Sequence, residues 1–257
     1  MIPRLYIDAP LHAGLPAPLS AEQAHYLKNV LRRREGDAVR LFNGRDGEFA
    51  GTIAELGKKA GAVQLGEKTR EQEAEPDLTL IFAPVKRGPL ETIVQKAVEI
   101  GVARLQPVIT ERTAQPRLNI ERLRAIAMEA AEQCGRLNVP SVDEPIKLAA
   151  LLENWSGKGR LLFCDEAGDD AQEEWGGREG RAAPALDALK GVNSPADSPW
   201  SVLTGPEGGF SPEERRQLRA KPFVTPVTLG PRILRADTAA IAALVLWQAA
   251  LGDWRNA

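Results

Sequence analysis

The chain has 257 residues, with 33 Lys and Arg against 35 Asp and Glu, and a formal net charge of −2. This balance excludes a chain that binds nucleic acid through its overall charge, so any RNA partner must meet a local basic patch. Only two histidines and two cysteines are present, which leaves no metal site with the usual ligand spacing and disfavours Ser-His-Asp and Cys-His devices. We expect Cys134 and Cys164, each inside an apolar pattern, to be buried reduced thiols.

The N-terminal stretch MIPRLYIDAP has no basic leader followed by an apolar core, so a secretory signal is not expected. The longest apolar stretch, residues 239–251, is shorter than the ~20 residues that span a bilayer. These features predict a cytoplasmic protein with no membrane partner.

The first ~70 residues contain short strand-like runs separated by glycine. AVRLFNGRDGEFAGTIAEL alternates apolar and polar residues around a turn signal, which predicts a β-hairpin. Such runs indicate a small β-barrel or sandwich. The acidic stretch EQEAEPD, residues 71–77, is typical of a linker, so we place an N-terminal domain at residues 1–72 and a C-terminal domain at 77–257.

The C-terminal part alternates strands and helices, which predicts an α/β domain with a mainly parallel sheet. LTLIFAPV, ARLQPVI, RLLFCDE, WSVLTG and FVTPVTLG are the strand candidates. Pro89 is predicted to open one helix, and Asn119 to cap a second. Residues 167–199 are acidic and rich in Gly, Ala and Pro, which indicates a flexible insertion with one short helix near 185–189.

The stretch LTGPEGGFSPEE, residues 203–214, is a strand-to-helix loop. Its SPEE end is a capping box, with Ser211 capping and Glu214 reaching back. Open α/β sheets bind ligands at this edge, and Gly205, Gly208 and Gly209 would let main-chain amides approach one closely. A plain tight turn explains the same glycines, and neither GxxxxGK[ST] nor GxGxxG is present.

A second stretch, LGPRILRADTAAIAALVLW, again runs from a strand through a Gly-Pro loop into a helix. Asp237 or Thr238 is expected to cap this helix, whose nearly all-apolar body indicates deep burial or a subunit interface. Arg232 and Arg235 lie in the loop before it. They either pair with surface carboxylates or face a polar ligand.

Together these two stretches resemble the paired C-terminal motifs of the SPOUT methyltransferases, and more narrowly the RsmE family. Other stretches that resemble the family are HYLKNVLRRREGD (25–37), KRGPLETIVQKAVEIGVARLQPVITERT (86–113) and AAEQCGRLNVP (130–140). The chain departs from the pattern at Asp237, where glutamate is expected, and in its longer, more acidic insertion.

The resemblance implies an N-terminal PUA-like β-barrel and a C-terminal SPOUT domain, an α/β fold tied into a trefoil knot. It further implies a homodimer and S-adenosylmethionine as methyl donor, with no metal ion. The residues expected to bind the donor are Leu203, Thr204, Gly205, Pro206, Glu207, Gly208, Gly209, Leu229, Gly230, Arg232, Ile233, Leu234 and Ala236.

The activity that the resemblance implies is methylation of N3 of a uridine in 16S ribosomal RNA of the small ribosomal subunit. Arg232 and Arg235 are candidates for stabilising the uracil anion, and Glu207 is either a base or, as we favour, a residue that orders its loop. Candidate RNA-binding residues are Lys28, Arg32, Arg33, Arg34, Lys86, Arg112, Gln133 and Arg136. The alternative is a solvated charged surface for the basic cluster at 28–34, and an exposed helix end for Gln133 and Arg136.

Two other functions remain open from the sequence. One is a SPOUT methyltransferase that acts on transfer RNA or on a ribose 2′-hydroxyl. The other is an assembly factor that binds RNA without catalysis.

Overall fold

The computed structural model describes residues 2–58, 60–114, 117–155, 159–170, 172–190, 192 and 198–256. The chain divides into two compact units. The first comprises Met1–Ala74 and Met128–Val139, and the second Glu75–Ala127 and Pro140–Ala257. Residues 128–139 therefore group with the N-terminal unit, although the sequence pattern placed them in the C-terminal domain.

The first unit contains a five-stranded sheet and one short helix. Its strands are β1 (Arg4–Tyr6), β2 (Pro16–Leu19), β3 (Ala38–Phe42), β4 (Glu48–Leu56) and β5 (Gly61–Arg70), in the order β1-β3-β4-β5-β2. The predicted hairpin is β3–β4, which pairs antiparallel. Helix α1 (Ala21–His25) begins with a capping box from Ser20 and Gln23, and a π-helical turn, Tyr26–Val30, follows it.

The second unit contains a parallel sheet and most of the helices. Its strands are β6 (Leu78–Phe82), β7 (Arg104–Ile109), β8 (Ser141–Val142), β9 (Ile146–Lys147), β10 (Arg160–Cys164), β11 (Ala183–Pro184), β12 (Trp200–Thr204) and β13 (Val224–Thr228). The helices are α2 (Arg87–Glu99), α3 (Ile120–Cys134), α4 (Leu148–Glu153), α5 (Ala185–Lys190), α6 (Pro212–Arg219) and α7 (Ala236–Ala250). The part of α3 from Met128 onward belongs to the first unit. Two turns of 3₁₀ helix lie at Glu174–Gly176 and Asp253–Asn256.

The strands of this sheet lie in the order β11-β13-β10-β12-β6-β7-β8, with β9 beside β7. At the centre of the sheet this order differs from the order along the chain. Every described pair in this sheet is parallel, as the alternation of strands and helices predicted. Strand β12 lies between β10 and β6, while β13 lies on the far side of β10. The ends of β10, β12 and β13 thus meet at a point where the order of connections reverses.

The predicted helix signals have mixed outcomes. Asn119 caps α3, since its Oδ1 accepts the Arg122 N–H at 3.0 Å. Helix α2 begins at Arg87, two residues before Pro89, because the first turn needs no N–H from proline.

The cap predicted for α7 is wrong. This helix begins at Ala236, with Arg235 at the cap position and no side-chain cap. The Asp237 carboxylate instead accepts the Thr238 N–H at 2.8 Å inside the first turn, where the positive end of the helix dipole favours a negative charge.

The thiols are not both buried. Cys164 is buried on β10, whereas Cys134 is exposed. Cys134 is the last residue of α3, where its position beyond the apolar stripe leaves it in solvent. None of the described helices is long and apolar enough to cross a membrane.

Within the first unit, Arg4 joins the end of α3 to the sheet. Its guanidinium donates to the carbonyls of Ala131, Glu132 and Arg136 at 3.2, 3.0 and 2.8 Å, which lack helical partners at a C-terminus. Its Nε donates to the buried Glu48 carboxylate at 2.6 Å. Although burial by itself acts to raise it, the pKa of Glu48 is lowered by hydrogen bonds from Arg4 and Thr69. The element AAEQCGR therefore anchors α3 in this unit.

The Glu132 carboxyl is the titrating group of this anchor. Burial raises its pKa to about 7, against the hydrogen bond that its Oε1 accepts from the Tyr6 N–H at 2.9 Å, and Glu129 adds to the rise. The pKa of Glu132 is higher in the folded state than in the unfolded state. Between about pH 4.5 and 7 the folded chain therefore binds a proton at Glu132 that the unfolded chain has lost. Stability therefore falls as pH rises through this window.

Glu132→Gln should remove this pH dependence, because glutamine keeps an acceptor for Tyr6 but carries no proton equilibrium. We expect the variant to gain about 2–3 kcal/mol relative to the parent between pH 5 and pH 8. Urea unfolding at both pH values measures the difference. The control Glu153→Gln, at an exposed glutamate, should have the same free energy of unfolding as the parent at both pH values. If the difference between E132Q and the parent does not change with pH, Glu132 is not the titrating group.

Candidate active site

A deep cleft of the second unit lies at the carboxyl ends of β10, β12 and β13. It has a volume of about 1490 Å³. Its walls are the β12–α6 loop, the β13–α7 loop and the segment that follows β10, with Lys86 and Arg112 at its edge. Ligands of open parallel sheets bind at such a reversal of strand order, so the topology alone marks this cleft as the candidate site.

The β12–α6 loop is held at both ends. The Gly209 N–H donates to the Pro206 carbonyl at 2.9 Å, which closes the turn. The predicted capping box is confirmed: Ser211 and Glu214 exchange hydrogen bonds at the start of α6. The second oxygen of Glu214 accepts the Glu111 N–H at 2.8 Å, so the capping residue also ties α6 to the end of β7.

Two positions of this loop require glycine because an aromatic ring lies too close for a side chain. A Cβ on Gly205 would lie 2.7 Å from the ring of Phe210, which packs edge-to-face on Phe163 at 5.0 Å between centroids. Gly209 has φ +66, and a Cβ there would lie 3.2 Å from the ring of Trp175. A side chain at either position would displace an aromatic ring from the wall of the cleft.

The β13–α7 loop is fixed by a carboxylate from β10. The two oxygens of Glu166 accept hydrogen bonds from the Thr228 hydroxyl at 3.1 Å and the Leu229 N–H at 3.3 Å. Burial raises the pKa of Glu166, while these two hydrogen bonds act in the opposite direction. Glu166 lines the cleft and was not among the predicted site residues, because the sequence pattern included it in a strand.

At the floor of the cleft, the Thr204 hydroxyl has no hydrogen-bond partner among the described residues. Thr204 is 1% exposed and lines the cleft as the last residue of β12. A buried hydroxyl without a partner costs about 1–3 kcal/mol. The arrangement is therefore that of a site whose ligand supplies the missing partner.

Relatives and solved structures agree on the family. The family model described as "RNA methyltransferase domain" matches residues 72–248, and the "RNA methyltransferase PUA domain" matches 19–65. The ribosomal RNA small subunit methyltransferase E of Rickettsia conorii is 31% identical over 94% of this chain and 93% of its own. That of Synechocystis sp. is 36% identical over 88% of this chain and 70% of its own.

Among solved structures, that of a ribosomal RNA small subunit methyltransferase E from Neisseria gonorrhoeae bound to S-adenosyl methionine is similar with a TM-score of 0.83. It is 29% identical and covers 99% of this chain and 100% of its own.

The chain belongs to the RsmE family. The predicted fold class is confirmed as an α/β SPOUT domain together with a PUA-like N-terminal domain.

Most of the residues predicted to bind the RsmE donor line the cleft. These are Thr204, Gly205, Pro206, Glu207, Gly208, Gly209, Ile233, Leu234 and Ala236. Leu203, Leu229, Gly230 and Arg232 are not among the lining residues. Leu203 alternates with Thr204 on β12 and packs in an apolar cluster with Phe163, so only its backbone is near the site.

The three candidate catalytic residues are placed differently. Arg235 is exposed and lines the cleft, whereas Arg232 is exposed outside it. Neither arginine forms an ion pair with a residue in the described part of the chain, which disfavours the alternative that carboxylates hold them. Glu207 lines the cleft, and its Oε1 accepts the Lys86 N–H at 3.4 Å.

The candidate RNA-binding residues fall in both units. Lys86 and Arg112 lie at the edge of the cleft, where Arg112 also donates to the Gly208 carbonyl at 3.0 Å. In the first unit, Lys28, Arg32, Arg34 and Gln133 are exposed, while Arg33 and Arg136 are partly buried.

The segment that follows β10 is the part of the site that the sequence did not predict. Asp165 is buried and forms salt bridges with Arg215 at 2.7 Å and Arg219 at 2.6 Å, both from α6. Arg215 also donates to the Ala167 and Gly168 carbonyls. The expected insertion therefore begins with two residues, 167 and 168, that α6 holds, and exposed residues that follow them, among them Asp170, Glu173 and Trp175, line the cleft.

The chemistry of the lining excludes a thiol nucleophile. Burial, together with Glu166 and Asp165, raises the pKa of Cys164 far above its usual value, so the thiol stays neutral. Within the described residues, no group of three or more His, Cys, Asp or Glu is arranged to hold a metal ion.

Gly205→Ala should destabilise the site, whereas Gly208→Ala should be tolerated. The new methyl at 205 meets the packed Phe210 ring at 2.7 Å, while at 208 the nearest atom, Arg112 Cβ, lies at an ordinary 3.5 Å. We expect a loss of about 1–3 kcal/mol for the first variant and less than about 0.5 kcal/mol for the second. Denaturant unfolding compares the two, and equal losses would show that Phe210 does not set the requirement.

Proposed function

We propose that this chain transfers the methyl group of S-adenosylmethionine to N3 of a uridine in 16S ribosomal RNA of the small ribosomal subunit. The observation that carries the proposal is the buried, unpartnered Thr204 hydroxyl between the two glycine loops of an RsmE-family chain. The names of the relatives support the RNA as substrate, and the ligand of the Neisseria structure supports the donor. Such a substrate implies a cytoplasmic protein.

The donor fits the cleft by its shape and its hydrogen-bonding groups. Gly205 and Gly209 leave the main chain open, and Thr204 provides a hydroxyl that can donate or accept. Glu166 fixes the second loop through Thr228 and Leu229. When bound, the donor supplies an electrophilic methyl group on a sulfonium, and the chain has to align an acceptor with it at near-attack distance.

The acceptor must lose its N3 proton, and the resulting negative charge spreads over the uracil carbonyls. We propose that Arg235 stabilises this charge, because its guanidinium lies at the cleft with no carboxylate partner among the described residues. Arg232, outside the cleft of a single chain, is better placed for the RNA backbone. Glu207, bonded to Lys86, has an ordering role.

Lys86 and Arg112 are proposed to hold RNA phosphates at the edge of the cleft, because both are exposed there and neither has a described carboxylate partner. Lys28, Arg32 and Arg34 extend the charge on the first unit. Arg33, Gln133 and Arg136 remain candidates for the same surface.

A homodimer is proposed through the outer face of α7. Residues one turn apart on this face are apolar and only half-buried in the single chain: Ile241, Ala242, Val245 and Leu246. A half-exposed apolar stripe on a helix that opens at the active site favours a second copy of the chain as its cover. A light-scattering mass of a single chain would contradict this.

The open alternatives are less well supported. An assembly factor without catalysis has no need for a buried polar atom between two ordered loops. A methyltransferase for transfer RNA or for ribose hydroxyls shares the cleft but not the family of the relatives.

The decisive experiment measures nucleosides of 16S RNA from a strain that lacks the gene. We expect 3-methyluridine to be absent there, and to return with the wild-type gene or after purified protein and donor are added to small subunits from that strain. Persistence of 3-methyluridine in the deletion strain would refute the assigned substrate.

Thr204→Val should weaken donor binding without unfolding the chain, because valine keeps the volume but removes the hydroxyl. We expect Kd for S-adenosylhomocysteine to rise about 5- to 20-fold, the effect of about 1–2 kcal/mol. Calorimetric titration measures it, with Thr225→Val on β13 as the matched control outside the lining. An unchanged Kd in T204V would mean that the hydroxyl does not touch the donor.

A further inference from the structure

Trp175 is an aromatic side chain on the wall of the cleft for which the proposed reaction has so far no use. It is 36% exposed, lines the cleft and lies against the bare backbone of Gly209. Three other tryptophans, Trp155, Trp200 and Trp247, are buried in the core. A large apolar ring left at the open side of a substrate cleft indicates a contact with the substrate rather than with the core.

The backbone at Trp175 is held in a conformation that bulky residues avoid. Its φ and ψ are 55° and 27°, in the left-handed region. The Trp175 carbonyl accepts the Gly168 N–H at 2.9 Å, and the next carbonyl, of Gly176, accepts the Asp170 N–H at 3.0 Å. The surrounding segment therefore fixes where the indole projects, as is typical of strained residues at functional sites.

The segment is itself fixed to α6. Arg215 donates to the Ala167 and Gly168 carbonyls while its Nε binds the buried Asp165 carboxylate. A Cβ on Gly168 would lie 2.0 Å from the Gly176 carbonyl oxygen, so the two arms of the segment are in backbone contact. The segment that carries the Trp175 ring is therefore held in place by the buried Asp165 and by α6.

The chemistry of N3 methylation requires the Watson–Crick edge of the base to be free. Uracil N3 lies on the Watson–Crick edge, so the base has to leave its stack and present that edge to the methyl donor. Stacking on an aromatic ring uses the face of the base and leaves the edge free. Asp170 and Glu173, which line the cleft with Trp175, repel phosphate, so they favour a contact there with the uncharged base rather than with the RNA backbone.

We propose that Trp175 is the platform on which the acceptor uracil stacks during methyl transfer. This inference rests on the proposed function and adds a positioning residue to it. Because the donor is proposed to bind at the buried Thr204, we assign the exposed Trp175 ring to the RNA base and not to the adenine of the donor.

The test compares Trp175→Asn, Trp175→Phe and the control Trp254→Phe. Asparagine tolerates the left-handed backbone but cannot stack, phenylalanine keeps a ring, and Trp254 is an exposed tryptophan near the C-terminus. We expect kcat/KM for small subunits from the deletion strain to fall about 5- to 150-fold in W175N. It should stay within a few-fold of wild type in W175F and unchanged in W254F, and Kd for S-adenosylhomocysteine should be unchanged in all three.

A binding experiment separates this inference from the proposed function. A 16S RNA fragment is prepared with the methylated uridine intact or replaced by an abasic site, and its affinity is measured in the presence of S-adenosylhomocysteine. Wild type should prefer uridine, and W175N should lose most of that preference. This readout does not need turnover, so it tests the contact between Trp175 and the base even if the protein does not transfer a methyl group to that base.

Three results would overturn the platform. The first is a W175N enzyme within two-fold of wild type on small subunits. The second is a tenfold weaker Kd for S-adenosylhomocysteine in W175N, which would assign the ring to the donor. The third is an unaltered preference for uridine over the abasic site in that variant.

Discussion

The site depends on the parallel pairing of β10 between β12 and β13. In this register Phe163 lies beside Leu203 on one side and Pro226 on the other, so the three strands end level with one another. Since each strand continues into a loop, the level ends bring three loops that are distant in sequence around one cleft. Thr204, Glu166 and the Gly-Pro loop before α7 meet only because of this register.

A buried ion pair holds the segment after β10, which forms the third wall of the cleft. Asp165 follows β10 directly and would be costly to bury alone, but Arg215 and Arg219 of α6 both bind it. The same Arg215 holds the backbone of residues 167 and 168. One ion-pair network thus links β10, α6 and the segment that carries Trp175, and the acidic composition of that segment is in part the counter-charge of α6.

The two units use arginine in different ways. Arg4 in the first unit satisfies the carbonyls at the end of α3 and the buried Glu48, and its role is structural. Arg235 in the second unit is exposed at the cleft and has no described carboxylate partner. Residue type alone does not separate these roles, because the difference arises from the groups that surround each guanidinium.

The sequence by itself determined the parallel strands, the helix starts at Asn119 and Ser211, and the two glycine loops, because each follows from local periodicity and capping chemistry. The sequence also indicated the family, because each family motif is a continuous stretch of the chain. It misjudged the start of α7 and the burial of Cys134, and gave no sign of Glu166 or Trp175 as cleft residues. Only the tertiary structure decided these, because burial, ion pairing with α6 and contact with Gly209 join residues that are separated by tens of positions along the chain.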